Sequence, residues 1–203
     1  MSTAPEKRTQ AERSETTRAA LIAAGRRLFA ARGYAAVGTE EIVREAGVTR
    51  GALYHHFAGK RELLAAVYEQ IESEITEQLA ASVVPGASVL ETLQRGADEF
   101  LDHCLEPEVQ QIVLLDAPAV LGWEEWREIG LKYGFGLVEE TLKAAMEAGL
   151  IENQPSRPLA HLVLGAIDEA ALVVARAPDD GGKTRREIGD AVERFIDHLR
   201  SPG

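Results

Sequence analysis

The chain has a single cysteine, Cys104, among its 203 residues, so it can form no disulfide within itself. Aromatic residues make up only 5% of the composition, and strand-forming residues do not occur in alternating runs. No apolar run approaches the ~20 residues that a transmembrane helix needs, and residues 1–13 are too polar and charged for a signal peptide. These absences favour a helical protein of the reducing cytoplasm, without a membrane partner.

The composition is that of a folded, helix-rich chain. Hydrophobic residues make up 45% of the sequence, which argues against disorder. Ala, Leu, Glu and Arg dominate, and these residues favour helix. A chain of this length can form one large or two small domains with a buried core, so we predict an all-α fold.

The charge is distributed unevenly along the chain. The net charge of −11 alone argues against a nucleic-acid partner. However, residues 1–60 hold ten Lys and Arg against six Asp and Glu, while residues 61–203 hold twelve against twenty-seven. A basic amino-terminal module on an acidic body is expected when only one end of a protein meets phosphates. Many soluble proteins show some charge segregation, so the asymmetry has little weight without a binding motif.

Such a motif lies at residues 39–64. Thr39 is placed to cap a first short helix, Gly47 to end it in the left-handed conformation, and Thr49 to cap a second helix. Leu53 and Phe57 are four residues apart and therefore share the buried face of that second helix. Two short helices joined by a tight glycine turn indicate a helix-turn-helix, whose second helix enters the DNA major groove.

The stretch T-E-E-I-V-R-E-A-G-V-T-R-G-A-L-Y-H-H-F-A-G-K-R-E-L-L, residues 39–64, resembles the DNA-binding motif of the tetracycline-repressor (TetR) family. The resemblance extends upstream through A-G-R-R-L-F-A-A-R-G-Y, residues 24–34. Gly38 departs from the family pattern, which often has Thr or Ser before Thr39. The resemblance implies a three-helix helix-turn-helix domain followed by a larger helical domain for ligand binding and dimerisation.

The second helix of the motif supplies most of the candidate DNA contacts. Arg50 is suited to bind guanine with two hydrogen bonds, and Ala52 to touch a thymine methyl group. Tyr54, His56 and Lys60 resemble phosphate-contacting positions of the family. The complete predicted set is Thr39, Arg44, Thr49, Arg50, Gly51, Ala52, Tyr54, His55, His56 and Lys60.

We expect a DNA-binding domain over residues 1–60 and a ligand-binding and dimerisation domain over residues 61–203. A helix from about Lys60 to Ser82 links the two. Residues 1–13 are predicted as a flexible arm that carries Lys7, Arg8 and Arg13, and the first helix is predicted to begin at Ser14 or Thr16.

The body of the chain is predicted to hold a ligand site. The segment L-L-D-A-P-A-V-L-G-W-E-E-W, residues 114–126, resembles the ligand-binding half of some TetR-family members, and Pro118 is expected to interrupt the helix there. Gly134 and Gly136 indicate a bend or a close approach in the following helix. The candidate lining residues are Phe100, His103, Cys104, Trp123, Trp126 and Tyr133. The alternative for most of them is the core, since aromatic residues at helical spacing are usually core.

The last two predicted helices, residues 158–177 and 184–199, indicate a dimer interface. The first is apolar nearly all round and the second is amphipathic, so a hairpin of the two can pack against its own copy. Alternatively, the first is simply the central helix of the domain. The candidate interface residues are Leu162, Ala166, Ala170, Ile188, Val192 and Phe195.

The sequence therefore predicts a dimeric transcriptional repressor that binds a palindromic operator and is released by a small, mostly apolar ligand. An alternative is a DNA-binding regulator without such a ligand, controlled by a protein partner. An enzyme is least favoured, because the chain has no G-x-S-x-G, H-E-x-x-H or Cys-x-x-Cys motif. The adjacent His103 and Cys104 do not share a helix face, and neither do His55 and His56, so we predict no metal or cofactor.

Overall fold

The computed structural model of the chain describes residues 9–84, 86–177 and 182–200. Within those ranges every regular element is a helix, which confirms the all-α prediction, and one isolated bridge pairs Ile151 with Arg200. The α-helices span Gln10–Arg32 (α1), Thr39–Ala46 (α2), Arg50–His56 (α3), Lys60–Ala81 (α4), Val89–His103 (α5), Pro107–Val109 (α6), Ala117–Leu121 (α7), Trp123–Glu147 (α8), Ser156–Ala175 (α9) and Gly182–Asp197 (α10). A π-helical segment, Gln110–Asp116, lies between α6 and α7.

The chain forms two compact units. Unit 1 comprises Met1–Val67 and unit 2 comprises Tyr68–Gly203, so the division falls inside α4. Both units therefore contain part of the same helix.

The first helix begins earlier than the sequence suggested. The Thr9 hydroxyl accepts a hydrogen bond from the Glu12 backbone N–H at 3.2 Å, and the Glu12 carboxylate accepts one from the Thr9 N–H at 2.7 Å. This capping box satisfies two free donors of the first turn. The predicted start at Ser14 or Thr16 is wrong, and Arg13 lies in α1 instead of a flexible arm. The other two basic residues of the predicted arm, at positions 7 and 8, lie outside the described residues.

The helix-turn-helix forms largely as its turn residues require. Gly47 ends α2 at φ 67° and ψ 30°, in the left-handed region that favours glycine. Thr49 caps α3, since its hydroxyl accepts a hydrogen bond from the Ala52 N–H at 3.2 Å. The predicted cap at Thr39 is wrong: Gly38 is the extended N-cap of α2, and Thr39 is already helical.

The core of unit 1 fixes the direction in which α3 faces. Leu53 and Phe57 are buried, as predicted, together with Phe29 of α1 and Ile42 of α2. A helix of only seven residues has little stability of its own, so this burial holds α3 in place.

Unit 2 is built around α5, α8, α9 and α10. Helix α8 packs against α9 and α5, while α10 packs against both α5 and α9. Helix α8 runs unbroken through Gly134 and Gly136, which were expected to mark a bend or a close approach. Gly134 lies against α9, where a Cβ atom would be 3.6 Å from the Leu164 side chain, an ordinary contact. The approach is tighter at Gly130, where a Cβ atom would lie 3.3 Å from the Tyr68 hydroxyl oxygen.

The helical backbone also continues where a break was expected before Pro118. The wider π-helical turn changes to α at Ala117, whose N–H donates to the Ile112 carbonyl. Pro118 then occupies the first turn of α7. A proline is tolerated in a first turn because its missing N–H is not needed there.

Helix α9 is long and apolar enough to cross a membrane by length and composition, with a mean hydropathy of 1.6 over its most apolar window. The expectation that no apolar run approaches membrane-spanning length is therefore wrong for α9. Half of that window is buried inside the structure. The core helix of a folded domain meets the same criteria, so this helix is weak support for a membrane span.

Candidate nucleic-acid interface and internal cavity

The outward face of α3 carries most of the predicted base-reading residues. Leu53 anchors the helix inside, while Arg50, Gly51, Tyr54 and His55 are exposed. Ala52 and His56 are half-buried beside them. The helix therefore presents a guanidinium group, a phenol and an imidazole on one accessible surface, together with a glycine that allows close approach.

Arg50 is held on that surface by contacts with two neighbours. Its guanidinium Nη1 lies 2.9 Å from the Glu40 carboxylate, and its Cζ lies 5.6 Å from the centre of the Tyr54 ring. The Tyr54 side chain, and then Glu40, raise the pKa of Arg50 above its ordinary value. Arg50 therefore stays charged and exposed while engaged with side chains of α2 and α3.

The remaining predicted contacts of unit 1 surround α3 at varying exposure. Thr39 is half-buried in the first turn of α2, whereas Arg44 is exposed, with Nη2 4.0 Å from the Glu41 carboxylate. Thr49 is exposed, and its hydroxyl is engaged in capping α3.

Lys60 has a contact that the sequence did not indicate. Its ammonium group donates to the carbonyl oxygens of Tyr34 and Val37, both at 2.8 Å, and lies 3.9 Å from the centre of the Tyr34 ring. These contacts tie the start of α4 to the loop between α1 and α2. A charged hydrogen bond to a carbonyl is stronger than a neutral one, so Lys60 stabilises unit 1.

Unit 2 contains an internal cavity with a volume of about 100 Å³. Its walls are mostly apolar and come from α4, α5, α8, α9 and the π-helical segment. Two of the predicted lining residues, Phe100 and Trp126, do line it.

The other four predicted lining residues do not line the cavity, and each has different surroundings. Cys104 is completely buried in the core, and burial raises the pKa of its thiol. His103 pairs with Glu106 at 2.7 Å. Trp123 is 61% exposed, and its ring lies 5.1 Å from the Trp126 ring at an interplanar angle of 41°. The Tyr133 ring lies near the Lys132 ammonium.

The cavity wall also contains a charged residue that sequence reasoning missed. Glu72 of α4 is only 7% exposed, and burial raises the pKa of its carboxyl to about 7, although the Tyr68 side chain opposes that rise. The Tyr68 hydroxyl donates to the Trp126 carbonyl at 3.2 Å. The sequence of α4 gave a partial signal, because its apolar residues recur at helical spacing, at Leu64, Val67, Ile71, Ile75 and Leu79, with Tyr68 alongside. Glu72 lies directly after Ile71 and four residues after Tyr68.

The predicted dimer residues divide into exposed and buried groups. Leu162 is 68% exposed and Phe195 is 39% exposed, with Ala166 and Ile188 half-buried. The prediction is wrong for the other two: Ala170 and Val192 are buried against their own chain. Helices α9 and α10 pack on each other, and each also packs against α5.

A short exposed helix, held behind a glycine turn on a three-helix core, defines a helix-turn-helix DNA-binding protein. A family model described as "Bacterial regulatory proteins, tetR family" matches residues 21–67. A second model, described as "Tetracyclin repressor-like, C-terminal domain", matches residues 90–199. The chain belongs to the TetR family, as its sequence pattern predicted.

Individual relatives agree with this assignment. The transposon Tn10 TetC protein of Escherichia coli is 29% identical over 191 residues, covering 92% of this chain and 90% of that protein. The HTH-type transcriptional regulator CymR of Pseudomonas putida is 37% identical over 121 residues, covering 58% and 60%. A crystal structure of a TetR-family transcriptional regulator from Pectobacterium atrosepticum is 34% identical, covers 96% of this chain and 99% of that one, and has a TM-score of 0.84. The chain is a DNA-binding transcriptional regulator and not an enzyme.

Proposed function

We propose that this regulator is a cytoplasmic, homodimeric repressor that occupies a palindromic operator through two copies of α3. A small, mostly apolar ligand in the cavity of unit 2 releases it from the DNA. The observation that carries the proposal is the exposed set Arg50, Gly51, Tyr54 and His55 on a helix fixed by buried Leu53.

In the bound state, α3 reads bases and its surroundings hold the phosphates. Arg50 exchanges Glu40 for a guanine, and Ala52 meets a thymine methyl group. The phosphates are bound by four residues around the base-reading positions: Thr39, Arg44, Tyr54 and His56. Lys60 also binds a phosphate, and Thr49 contacts the DNA beside Arg50. The excess of Lys and Arg in residues 1–60 supports this, because phosphate contacts supply much of the affinity for DNA.

Dimerisation covers the apolar surface left open on α9 and α10. Leu162 and Val173 of α9 and Phe195 of α10 are large, apolar and exposed, and half-buried Ala166 and Ile188 lie on the same helices. A two-fold contact of this surface with its own copy forms a four-helix interface and matches the two-fold symmetry of a palindromic operator.

The ligand acts through α4. This helix begins at Lys60 in unit 1 and contributes Tyr68, Glu72 and Ile75 to the cavity of unit 2. A ligand that binds the conformation without DNA more tightly shifts the population toward it. Moving that population from 1:99 to 99:1 requires a difference of ~5.5 kcal/mol in binding free energy.

A regulator controlled by a protein partner is the second candidate. It is favoured by the exposure of Trp123 at the start of α8, because a large exposed aromatic is often a contact for another protein. In that case DNA release depends on the partner, and compounds that fill the cavity leave operator binding unchanged.

Selection of bound DNA from a random library tests the proposal. We expect an inverted repeat to be enriched, and we expect light scattering to give a dimer both alone and on one operator. Enrichment of no motif, or of a single half-site by a monomer, would contradict it. The selected DNA then serves for gel shifts against a panel of small apolar compounds. Release by one of them, with a matching rise in melting temperature, separates ligand control from partner control.

A further inference from the structure

One carboxyl group sets the cavity of unit 2 apart from an ordinary apolar pocket. Among the described residues, Glu72 alone combines an acidic or basic charged side chain with burial. It lies in the cavity wall, which Ile75, Leu93 and Leu164 also line. Ionised carboxylates in apolar surroundings are costly unless a cation accompanies them. The position of Glu72 therefore raises the question of which group compensates its charge.

The charged groups that surround Glu72 leave its carboxyl without a cation. Arg127 of α8 and Asp168 of α9 also line the cavity, but they form an ion pair with each other. Arg95 of α5 lines it from a half-buried position. In the part of the chain that the structure describes, none of these forms an ion pair with Glu72.

The uncharged polar groups near Glu72 do not replace a cation either. On its own helix, the Tyr68 hydroxyl donates to the Trp126 carbonyl. The Cys104 thiol lies directly after α5, and the charge of Glu72 is the second cause of its raised pKa, after burial. The Tyr68 side chain also hydrogen-bonds to the Glu72 carboxyl and so opposes the rise in its pKa, but a neutral hydroxyl brings no positive charge.

We propose that the ligand of this cavity is a small lipophilic cation, a protonated or quaternary amine on an aromatic or aliphatic body, whose charge is paired with Glu72. This inference rests on the proposed function, in which the cavity is the site of the releasing ligand. The apolar walls bury the body of the ligand, and three aromatic residues, Phe100, Tyr68 and Trp126, line the cavity. Aromatic rings attract cations. An anionic ligand would instead place two like charges together in a low dielectric.

Binding of the cation is coupled to loss of a proton. Burial gives the Glu72 carboxyl a pKa of about 7, so near neutrality about half of the protein holds this group protonated. When the cation enters, the carboxyl O–H bond breaks and the proton goes to solvent. The ionised fraction rises from about 0.1 at pH 6 to about 0.9 at pH 8, so affinity should rise about tenfold over that range.

A matched pair of probes tests the charge requirement. Benzyltrimethylammonium carries a fixed positive charge that does not titrate, and neopentylbenzene is its uncharged carbon analogue. We expect the full-length protein to bind the ammonium compound more tightly than the analogue, with affinity rising from pH 6 to pH 8. Calorimetry in buffers of different ionisation enthalpy should show release of about half a proton at pH 7.

Two glutamine variants on α4 identify the residue responsible. Glu72→Gln should weaken binding of the ammonium compound at least tenfold and abolish its pH dependence, while leaving the analogue unaffected. Glu77→Gln removes an exposed carboxylate of the same helix and should change neither. Circular dichroism confirms folding, and proton release by the unmodified protein gives an independent reading that needs no variant.

The outcomes separate this inference from the proposed function. Equal binding of the ammonium compound to the unmodified protein and Glu72→Gln would overturn the inference, as would preference for the neutral analogue or for tert-butylbenzoate. So would absence of ammonium binding at millimolar concentration. If a neutral or anionic compound nevertheless releases the operator, the proposed function stands with a different ligand. If the protein selects no operator, the proposed function fails whatever the cavity binds.

Discussion

The guanidinium group of Arg50 lies 2.9 Å from the carboxylate of Glu40, so the main candidate for base reading is paired with an acid in the absence of DNA. Both side chains are mostly exposed, and such ion pairs contribute little to stability. Their pairing matters for binding, since Arg50 must leave Glu40 to meet a base and Glu40 then lies close to phosphates.

Replacing Glu40 with glutamine should therefore tighten operator binding. We expect an increase of about threefold at low salt, which shrinks as salt is added because exposed charges are screened. Fluorescence anisotropy at several salt concentrations measures it. Glu45→Gln, on the same helix but paired with Arg27, is the control and should have a smaller effect. Unchanged or weaker binding by Glu40→Gln would contradict the competition.

Lys60→Met should lower the stability of the protein and not only its affinity for DNA. The substitution keeps the aliphatic stem but leaves the carbonyls of Tyr34 and Val37 without their charged donor. We expect a loss of about 1–3 kcal/mol in the free energy of unfolding, measured by urea denaturation. Lys132→Met, which removes an exposed pair with Glu69, should lose less. If Lys60→Met keeps full stability and only flattens the salt dependence of DNA binding by about one unit, Lys60 acts as a phosphate contact alone.

Stability should depend on pH through Glu72. Its folded pKa of about 7 is above the ordinary value of 4.5, so the folded state binds the proton more tightly than the unfolded state. The resulting stabilisation is present below about pH 4.5 and is lost as pH rises through about 7. Relative to Glu72→Gln, the unmodified protein should lose roughly 3 kcal/mol between pH 4.5 and pH 8. Urea denaturation across that range measures the difference, and parallel curves for the two proteins would show that the carboxyl is not buried as described.

Leu162→Glu should convert the dimer to a monomer without unfolding the chain. Leu162 is largely exposed, so a carboxylate there costs the single chain little, whereas in a two-fold interface two such charges would be buried together. Light scattering gives the mass. Leu115→Glu alters another exposed leucine, on the π-helical segment, and should remain dimeric. A dimeric Leu162→Glu would place the interface elsewhere.

The turn of the helix-turn-helix could be predicted from the sequence because its chemistry is local. Gly47 is needed for a positive φ, and Thr49 caps the helix that starts next to it. The start of α1 was missed although the capping box of Thr9 and Glu12 is also local, because the polar opening residues suggested a flexible arm. The cap of α2 was assigned to Thr39 because threonine is a common N-cap residue. The actual N-cap, Gly38, has no side chain to form a capping hydrogen bond, so the sequence gives little indication of it.

The cavity could be predicted only in part because it depends on which face of each helix turns inward. Phe100 and Trp126 were expected in its lining, but Trp123 is exposed three residues earlier on the same helix. Glu72 was missed since a glutamate on a long helix is ordinarily solvated. Ala170 and Val192 were assigned to the dimer because an apolar pattern does not distinguish burial within a chain from burial between chains.

The most direct test of the central claim, that α3 reads operator bases, is a gel-shift series with Arg50→Ala against the selected operator and its single-base variants. The account predicts a loss of about 1–3 kcal/mol on the selected operator and a relaxed preference at one position in each half-site. Arg44→Ala, an exposed arginine of α2, should weaken all sequences alike. If Arg50→Ala keeps the same order of preference across the operator variants, the base-reading assignment of α3 is contradicted.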